Sequence, residues 1–511
     1  MKPIQGKIII ANGKFCSIEH SEYEVIVQSE DLNLDIRNAW IYPGFCDSHG
    51  HILSLGEQLS GLNFNHAKSV DECIELALKH NKYRGEWLVG RGWNQELWDK
   101  KDFPKAKMLD EYFSEVPVYL ERVDGHASWV NSKALKITGI SRNSTDPSGG
   151  AILKDKSGNP TGILLDNAME LVKSKIPRRE VSHLMDSIKK AINELISNGI
   201  LYVHDMDVAP ELIPIFKDLD NSNQLPIKIN AYVCAQKDEW LHRGIKPYSG
   251  KNFNVCGIKL YADGALGSRG AALLRSYSDD KGNKGLLLLS EKEMYEKCRL
   301  GIENGFQIAI HAIGSLANRT VLRTYAKLYD DKIADRSSLL RLEHAQIIHP
   351  SDLHYFAKYK IIPSIQPVHC ISDAPMAKKR LKSRCSYSYP WKSLINHGAN
   401  LLSGSDFPIE SHNPIIGIDA LVRRVPFGRT ESWYPKEIID VKQALDSYTQ
   451  NPIKYFGSQN KGKLSEGESA DFVIMNNNLI SCDKAQILQT NVLAAFSEGR
   501  CRYLSPTLTT K

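Results

Sequence analysis

Two histidines separated by one glycine, His49 and His51, follow a short apolar run in the segment GFCDSHGH. On a β-strand, side chains two residues apart leave the same face, so both imidazoles can reach a single metal ion. A lone His-x-His pair is weak evidence, because it is also compatible with an ordinary structural role. The two histidines are therefore consistent with a metal site, but they do not establish one by themselves.

Four other ionisable residues end apolar runs elsewhere in the chain. They are Lys259 in GIKLYADGALGS, His311 in QIAIHAIG, His344 in LRLEHAQ and Asp406 in LLSGSDFP. One such histidine is usually a packing or surface residue, and one such lysine usually points to solvent. Together with the His-x-His pair, however, they supply four imidazoles and a carboxylate, which suit a borderline divalent ion such as Zn²⁺. We therefore predict a metal site.

The elements that must position these residues are eight short apolar runs, which alternate with longer helical patterns. Eight strand–helix units predict an α/β fold, a (β/α)8 TIM barrel, in which the carboxyl ends of the strands converge on one catalytic face. The predicted strands are 45–51, 200–204, 227–233, 258–262, 307–311, 339–344, 361–366 and 400–406. The metal site depends on this convergence, because its residues are far apart in sequence.

The segments outside the strand–helix repeat predict two additions to the barrel. Residues 1–43 and 459–511 contain short alternating runs with turn signals, which predict one composite β-sandwich domain made from both ends of the chain. Residues 58–175 are far too long for one connecting helix and predict an insertion subdomain over the barrel mouth, after the first strand. The metal-binding barrel then comprises 44–57 and 176–458.

The composition is ordinary for a globular protein and argues against several classes. Of 511 residues, 42% are hydrophobic and 24% charged, and no apolar run has the length of a membrane span or a signal peptide. The ten cysteines form no CxxC pair, so we expect reduced thiols and a cytoplasmic location. The net charge of +6 is small for this length. We expect a small-molecule substrate, with no nucleic-acid or membrane partner.

Ordered blocks along nearly the whole chain resemble the amidohydrolase superfamily of metal-dependent hydrolases. The resemblance is to its YtcJ-like branch (amidohydrolase family 3), which includes N-substituted formamide deformylases. The blocks are PGFCDSHGH, GWNQELW, DGHASWVNSKAL, IKLYADGALGS, HAIG, RLEHAQ, PSIQPVHC, GSDFPIESHNP and KGKLSEGESADFVI. The resemblance implies a barrel that carries a β-sandwich built from both termini, and it makes a homodimer plausible.

The resemblance also implies how the candidate ligands are divided. His49, His51 and Asp406 would hold one ion, His311 and His344 would hold a second, and Lys259 would bridge them as a carbamate formed with CO2. An ammonium has no lone pair and cannot coordinate, whereas a carbamate is an anionic ligand with two oxygens. The two divalent ions, expected to be Zn²⁺, would share a hydroxide, and Asp406 would pass its proton to the departing amine.

The function implied is that of an enzyme, a metal-dependent amidohydrolase that cleaves a C–N bond of an amide or formamide-like small molecule. Related sites hydrolyse esters, lactones or phosphotriesters, or deaminate rings with a single metal, so analogy of fold does not choose among these reactions. Lys259 favours two ions over the single-metal arrangement. A non-catalytic scaffold would be expected to lack ligands, and all six are present.

Further residues are candidates for substrate binding. Trp93 and His126 lie in blocks that match the family and are predicted to line the pocket, with packing of a small subdomain as the alternative. His204 ends the second predicted strand and either faces the metals or substrate or packs in the core. The four tryptophans of the insertion predict an apolar or aromatic group on the substrate; they are Trp87, Trp93, Trp98 and Trp129.

Three residues beside the candidate ligands have other predicted roles. Asp47 is either an acceptor for a ligand imidazole or a carboxylate of the turn. Glu343 adjoins His344 and should face the opposite side of the strand, which predicts a structural role. Ser315 replaces the aspartate that usually ends the family's His-Ala-Ile-Gly-Asp block. That acid is not among the ligands, so we expect an intact metal site with altered loop packing or substrate preference.

Overall fold

The computed structural model describes residues 3–21, 24–29, 32–65, 67–80, 83–123, 125, 127–147, 150–177, 179–456 and 462–508. The chain divides into two compact units. The barrel unit comprises Met1–Ile52 and Ile192–Lys511, and the insertion unit comprises Leu53–Ala191. In the described part of the chain, no helix has the length and apolar character needed to cross a membrane.

The strands are β1 (Gly6–Ala11), β2 (Lys14–His20), β3 (Glu24–Gln28), β4 (Asn33–Arg37), β5 (Trp40–Pro43), β6 (Phe45–Gly50), β7 (Leu62–Asn63), β8 (Leu88–Trp93), β9 (Val118–Arg122), β10 (Ala127–Val130), β11 (Gly150–Lys154), β12 (Pro160–Asp166), β13 (Ile200–Val208), β14 (Lys228–Cys234), β15 (Tyr248–Ser249), β16 (Phe253–Tyr261), β17 (Gln307–Ala312), β18 (Leu340–His344), β19 (Ile362–Ile365), β20 (Leu402–Ser403), β21 (Phe472–Met475), β22 (Val492–Ser497) and β23 (Arg500–Leu504).

The α-helices are α1 (Ile52–Ser60), α2 (Val70–Lys79), α3 (Ala106–Asp110), α4 (Ser132–Ile137), α5 (Glu170–Lys173), α6 (Val181–Ser197), α7 (Ile213–Asn221), α8 (Glu239–His242), α9 (Glu291–Glu303), α10 (Ser315–Asp330), α11 (His354–Lys358), α12 (Pro367–Leu381), α13 (Trp391–Asn396), α14 (Pro414–Arg423), α15 (Val441–Tyr448) and α16 (Gln450–Ile453).

Eight parallel strands form the barrel, in the order β6-β13-β14-β16-β17-β18-β19-β20. The segment after β20 returns to β6, because the Asp406 N–H donates to the His49 carbonyl (2.6 Å) and the His51 N–H donates to the Phe407 carbonyl (3.0 Å). Each predicted strand overlaps one of these eight, so the predicted (β/α)8 barrel is confirmed. Parallel strands are buried on both faces, which explains their continuous apolar sequences.

The eighth barrel strand is much shorter than predicted and ends at Ser403. Ser405 leaves the strand because its hydroxyl donates to the Asp47 carboxylate at 2.6 Å. Asp406 has a positive φ of 61°, which a β-strand cannot accommodate. The turn that ends β20 therefore belongs to the site, since it carries Asp406.

Helices between the strands keep the strand ends in place. Helix α9 begins with a capping box, in which the Glu293 N–H donates to the Ser290 hydroxyl and the Ser290 N–H donates to the Glu293 carboxylate. Helix α10 buries one apolar side, which includes Val321, Leu322 and Tyr325. Each helix thus returns the chain to the start of the next parallel strand.

The chain ends form two four-stranded sheets, β2-β1-β3-β4 and β23-β22-β21-β5. In the second sheet, β5 from the start of the chain pairs antiparallel with β21 from its end. Both sheets contribute to one apolar cluster, in which Ile8 and Val25 pack together with Ile41, Phe472 and Phe496. This is the β-sandwich made from both termini. Its predicted boundary at residue 459 lies outside the described residues.

The insertion unit is built on a six-stranded sheet, β11-β12-β10-β9-β8-β7. Its four tryptophans are all buried; they are Trp87, Trp93, Trp98 and Trp129. Trp93 and Trp98 pack with Phe64, Leu88 and Leu120 in the core of the unit. The tryptophans therefore serve packing, and the prediction of an aromatic substrate group loses its basis. The location of this unit over the barrel mouth stays a prediction.

Candidate metal centre

The carboxyl ends of β6, β16, β17 and β18 and the turn after β20 bring the six candidate ligands together. His49 Nε2 lies 3.4 Å from Lys259 Nζ and 3.6 Å from Asp406 Oδ1. His51 Nε2 lies 3.0 Å from the same Asp406 oxygen. Residues separated by more than 350 positions thus meet at one point, as the barrel topology requires.

His344 connects these residues to His311. The ring centroids of His311 and His344 are 4.3 Å apart, and those of His49 and His344 are 5.0 Å apart. One potential ligand atom each from His49, His344 and Asp406 lies within 4.8 Å of the other two. The arrangement of these three ligands is compact enough to hold a metal ion.

Two imidazole nitrogens of the site lack hydrogen bonds. His311 Nε2 and His344 Nδ1 are buried, and neither has a hydrogen-bond partner among the residues that the structure describes. Burial, reinforced by Lys259, lowers the pKa of His311 to about 3, and burial beside His311 holds the pKa of His344 well below its usual value. A neutral imidazole nitrogen with a free lone pair is a ligand for Zn²⁺ and similar ions. The donor set therefore fits a divalent metal ion.

Asp406 supplies the negative charge of the cluster. Burial alone would raise its pKa, but hydrogen bonds from His369 and His51 hold the pKa of Asp406 well below its usual value. His51 Nδ1 lies 2.9 Å from the Met206 carbonyl, which can only accept a hydrogen bond. Nδ1 must therefore carry a hydrogen, and His51 donates from Nε2 to Asp406 as the imidazolium. Burial opposes this protonation, but Asp406 outweighs burial and raises the pKa of His51.

A further histidine of the site, His369, was missed as a candidate. Its Nε2 lies 3.2 Å from Asp406 Oδ2, and its ring centroid is 5.9 Å from that of His344. Burial opposes its protonation, but Asp406 dominates and raises the pKa of His369 to about 9. The signal was present in the sequence, since His369 follows the seventh predicted strand by three residues. It lies in the first turn of α12 rather than on the strand itself.

Glu343 does not face away from the site, which corrects the prediction. Its Oε2 accepts a hydrogen bond from His49 Nδ1 at 2.6 Å. Strand alternation fails here because His344 has a φ of +67°, a left-handed conformation that ends the strand. Consecutive residues therefore both reach His49.

Asp47 bonds to backbone rather than to an imidazole. Its Oδ1 accepts from the His49 N–H (3.0 Å) and from the Ser405 N–H (3.1 Å). Asp47 thus holds the end of β6 against the turn that carries Asp406, in agreement with the turn-carboxylate alternative.

Ser315 begins α10 and takes part in loop packing. Its hydroxyl accepts a hydrogen bond from the Leu274 N–H at 3.1 Å. The neighbouring carboxylate is that of Asp263, which accepts from the N–H groups of Ala272 and Gly314, each at 2.8 Å. Ser315 therefore joins the loop after β16 to the start of α10.

Two of the predicted substrate-binding residues, His204 and Trp93, are buried within their own units. His204 is completely buried, contacts the Arg341 guanidinium through Nδ1, and packs against the rings of Tyr232 and Phe456. The indole N–H of Trp93 donates to the Leu120 carbonyl at 2.8 Å inside the insertion unit. Both positions favour the packing alternative. His126 lies outside the described residues.

Comparison with known proteins agrees with this geometry. Residues 34–503 match the sequence model of the amidohydrolase family. Over 488 residues the chain is 30% identical to the putative amidohydrolase YtcJ of Bacillus subtilis (strain 168), covering 93% of this chain and 91% of the relative. Over 493 residues it is 24% identical to the N-substituted formamide deformylase of Arthrobacter pascens, covering 92% and 89%.

A solved structure has the same fold along nearly the whole chain. The crystal structure of an uncharacterized metal-dependent hydrolase from Pyrococcus horikoshii OT3 superimposes with a TM-score of 0.76 at 25% sequence identity. The match covers 95% of this chain and 99% of that one.

Proposed function

Because this chain belongs to the amidohydrolase family and is a metal-dependent hydrolase, we propose that it cleaves a non-peptide C–N bond in a small amide or formamide. The observation that carries the proposal is the convergence of His49, His344 and Asp406, whose ligand atoms lie within 4.8 Å of one another. The similarity to an N-substituted formamide deformylase supports the choice of bond.

The contacts within the cluster support two metal sites, for which Zn²⁺ is our proposed ion. His51 and His49 both lie beside Asp406 and would hold one ion with it. His311 packs against His344, and this pair would hold the second.

Lys259 is proposed to join the two sites as a carbamate. Burial lowers the pKa of Lys259, which increases the share of neutral amine. The neutral amine adds to CO2, forming one N–C bond and releasing one proton. The product is an anion with two oxygen ligands.

Divalent ions bound here would supply Lewis acidity, which lowers the pKa of water and polarises the scissile carbonyl. Asp406 is ionised and is our proposed general base: it accepts one proton from the attacking water and donates it to the departing amine. His369 holds the second carboxylate oxygen at 3.2 Å and orients it. Asp406 ends the cycle unchanged, and water and the amide yield an acid and an amine.

A panel of substrates tests the proposal. Metal-loaded protein is assayed with N-formyl amines, N-acetyl amines, lactones and phosphotriesters, and Asp406→Asn serves as the control for contaminating activity. We expect turnover of the formyl or acetyl amines by the wild-type protein. Turnover restricted to lactones or phosphotriesters would overturn the choice of the C–N bond.

A further inference from the structure

The barrel interior beneath the ligands contains a buried ion pair. Arg341 and Glu343 lie two residues apart on β18, so both side chains point to the same face, and both are at most 1% exposed. Arg341 Nε donates to Glu343 Oε1 at 2.8 Å. The pair lies inside the barrel, where apolar side chains would be expected.

Arg341 is held from several strands. Its guanidinium donates to the Ser48 carbonyl at 2.7 Å, to the Ser364 hydroxyl at 3.1 Å and to the Tyr232 hydroxyl at 3.2 Å. It also contacts His204 Nδ1. A planar group fixed on β6, β13, β14 and β19 has little freedom to turn, so Arg341 determines where the carboxylate of Glu343 lies.

Glu343 in turn determines how His49 presents its ring. The carboxylate of Glu343 is paired with the Arg341 guanidinium at 2.8 Å, and this permanently charged partner keeps it ionised. An ionised carboxylate only accepts hydrogen bonds, so His49 Nδ1, 2.6 Å away, must carry the hydrogen. The lone pair of the neutral ring is then on Nε2, which faces Lys259 and Asp406.

Stability alone does not account for the pair. Burying two charges costs about as much as their attraction returns, and apolar replacements of a buried pair are often neutral or stabilising. The role of this buried ion pair is therefore to be sought in the imidazole that Glu343 contacts, that of the candidate ligand His49.

We propose that Glu343, fixed by Arg341, is a positioning residue that holds His49 in the tautomer whose Nε2 can bind a divalent cation. The inference rests on the proposed function, since it requires a metal at the site. Removal of such a partner typically weakens metal binding about 10–100-fold. The carboxylate of Glu343 thus determines the metal affinity of the site without touching the metal or the substrate.

The test compares Glu343→Gln with the wild-type protein. A glutamine amide can donate to His49 Nδ1, which moves the ring hydrogen to Nε2. Zn²⁺ affinity is measured on metal-stripped protein by competition with a chromophoric chelator. The His49 tautomer is read from ¹⁵N chemical shifts of histidine-labelled protein, with His49→Gln to assign the signal. We expect an affinity loss of about 10–100-fold and a changed His49 signal, with partial recovery in Glu343→Asp.

Asp352→Asn is the matched control, because Asp352 is also buried and accepts from an arginine, Arg319 Nε, at 2.9 Å. It should leave both measurements unchanged. Should Glu343→Gln fail to fold because Arg341 is left unpaired, the double variant Arg341→Met with Glu343→Leu removes both charges. It should fold and still lose the tautomer preference.

The possible failures are distinguishable. Wild-type protein that binds Zn²⁺, with an unchanged affinity and His49 signal in the folded variant, overturns the positioning role alone. Wild-type protein that binds no divalent ion overturns the proposed function and this inference with it.

Discussion

The group of candidate metal ligands in the barrel unit and the core of the insertion unit both contain aromatic rings with polar nitrogens. The hydrogen bonding of these nitrogens differs between the two regions. In the insertion unit, the indole N–H groups of Trp93, Trp98 and Trp129 each donate to a backbone carbonyl. In the barrel unit, His311 Nε2 and His344 Nδ1 have no such partner within the described ranges. A nitrogen without a hydrogen bond does not by itself identify a ligand, since His204 Nε2, packed in the barrel interior, also lacks a partner among the described residues. What distinguishes His311 and His344 is that their rings pack against each other and, through His344, against His49, so that their free nitrogens lie among the other candidate ligands.

Two buried aspartates also differ in whether their partners serve the fold or belong to the candidate metal site. Asp471 accepts hydrogen bonds from Lys228 Nζ (2.6 Å), the Tyr202 hydroxyl (2.6 Å) and the Glu498 N–H (2.7 Å). Asp406 instead accepts from two imidazoles of the metal cluster. Asp471 is therefore expected to matter for stability and Asp406 for chemistry.

The largest effect is expected at Asp406. Asp406→Asn should lower kcat/KM about 10²–10⁴-fold, because it removes the proposed general base, while the fold is kept. Steady-state kinetics and circular dichroism of the purified variant check this. Full activity in the variant would show that Asp406 is no more catalytic than Asp471.

Asp471→Asn should instead lower the free energy of unfolding by about 3–5 kcal/mol and leave kcat/KM of the folded protein unchanged, since it breaks a buried ion pair. Burial raises the pKa of Asp471, but Lys228 outweighs burial and holds it below the usual value. The stabilisation should thus be complete above about pH 4, the ordinary aspartate range, and decline as the pH falls further. Urea unfolding of both proteins from pH 3 to 7 measures it; a difference that grows on acidification would contradict the sign.

Metal binding should stabilise the barrel unit, because it satisfies the free imidazole nitrogens. At a Zn²⁺ concentration 100-fold above Kd, the free energy of unfolding should rise by about 2.7 kcal/mol. Chemical denaturation with and without Zn²⁺ checks this, and His344→Ala should abolish the response. If Zn²⁺ stabilised that variant as much as the wild-type protein, the ion would bind at a site that does not include His344.

The smallest effect is expected in the insertion unit. Trp93→Phe removes the donor to the Leu120 carbonyl and should lower the free energy of unfolding by about 1–3 kcal/mol, with KM unchanged. Denaturation and kinetics of the same preparation decide the matter. If the variant had a changed KM and an unchanged free energy of unfolding, Trp93 would be a substrate-binding residue rather than a packing residue.

Most of the barrel could be predicted from the sequence, because parallel strands buried on both faces leave continuous apolar runs between helical patterns. The six candidate ligands could be predicted because they are polar or charged residues in or directly after such runs, where apolar residues would be expected. His369 was missed because it lies three residues beyond the seventh predicted strand, in the first turn of α12, rather than on the strand itself. Trp93 and His204 were assigned to the substrate on residue type and position, and neither property shows whether a side chain faces a pocket or a core.

The sequence by itself determined the order of strands and helices and the placement of His49 and His344 at strand ends, because periodicity and residue type are local properties. Asp406 was expected at a strand end as well, but it lies in the turn after β20. The tertiary structure alone decided that Glu343 faces His49. That outcome depends on the left-handed backbone of His344 and on an arginine held from several strands. Such a conformation is imposed by contacts between distant segments, and local patterns in a sequence do not record them.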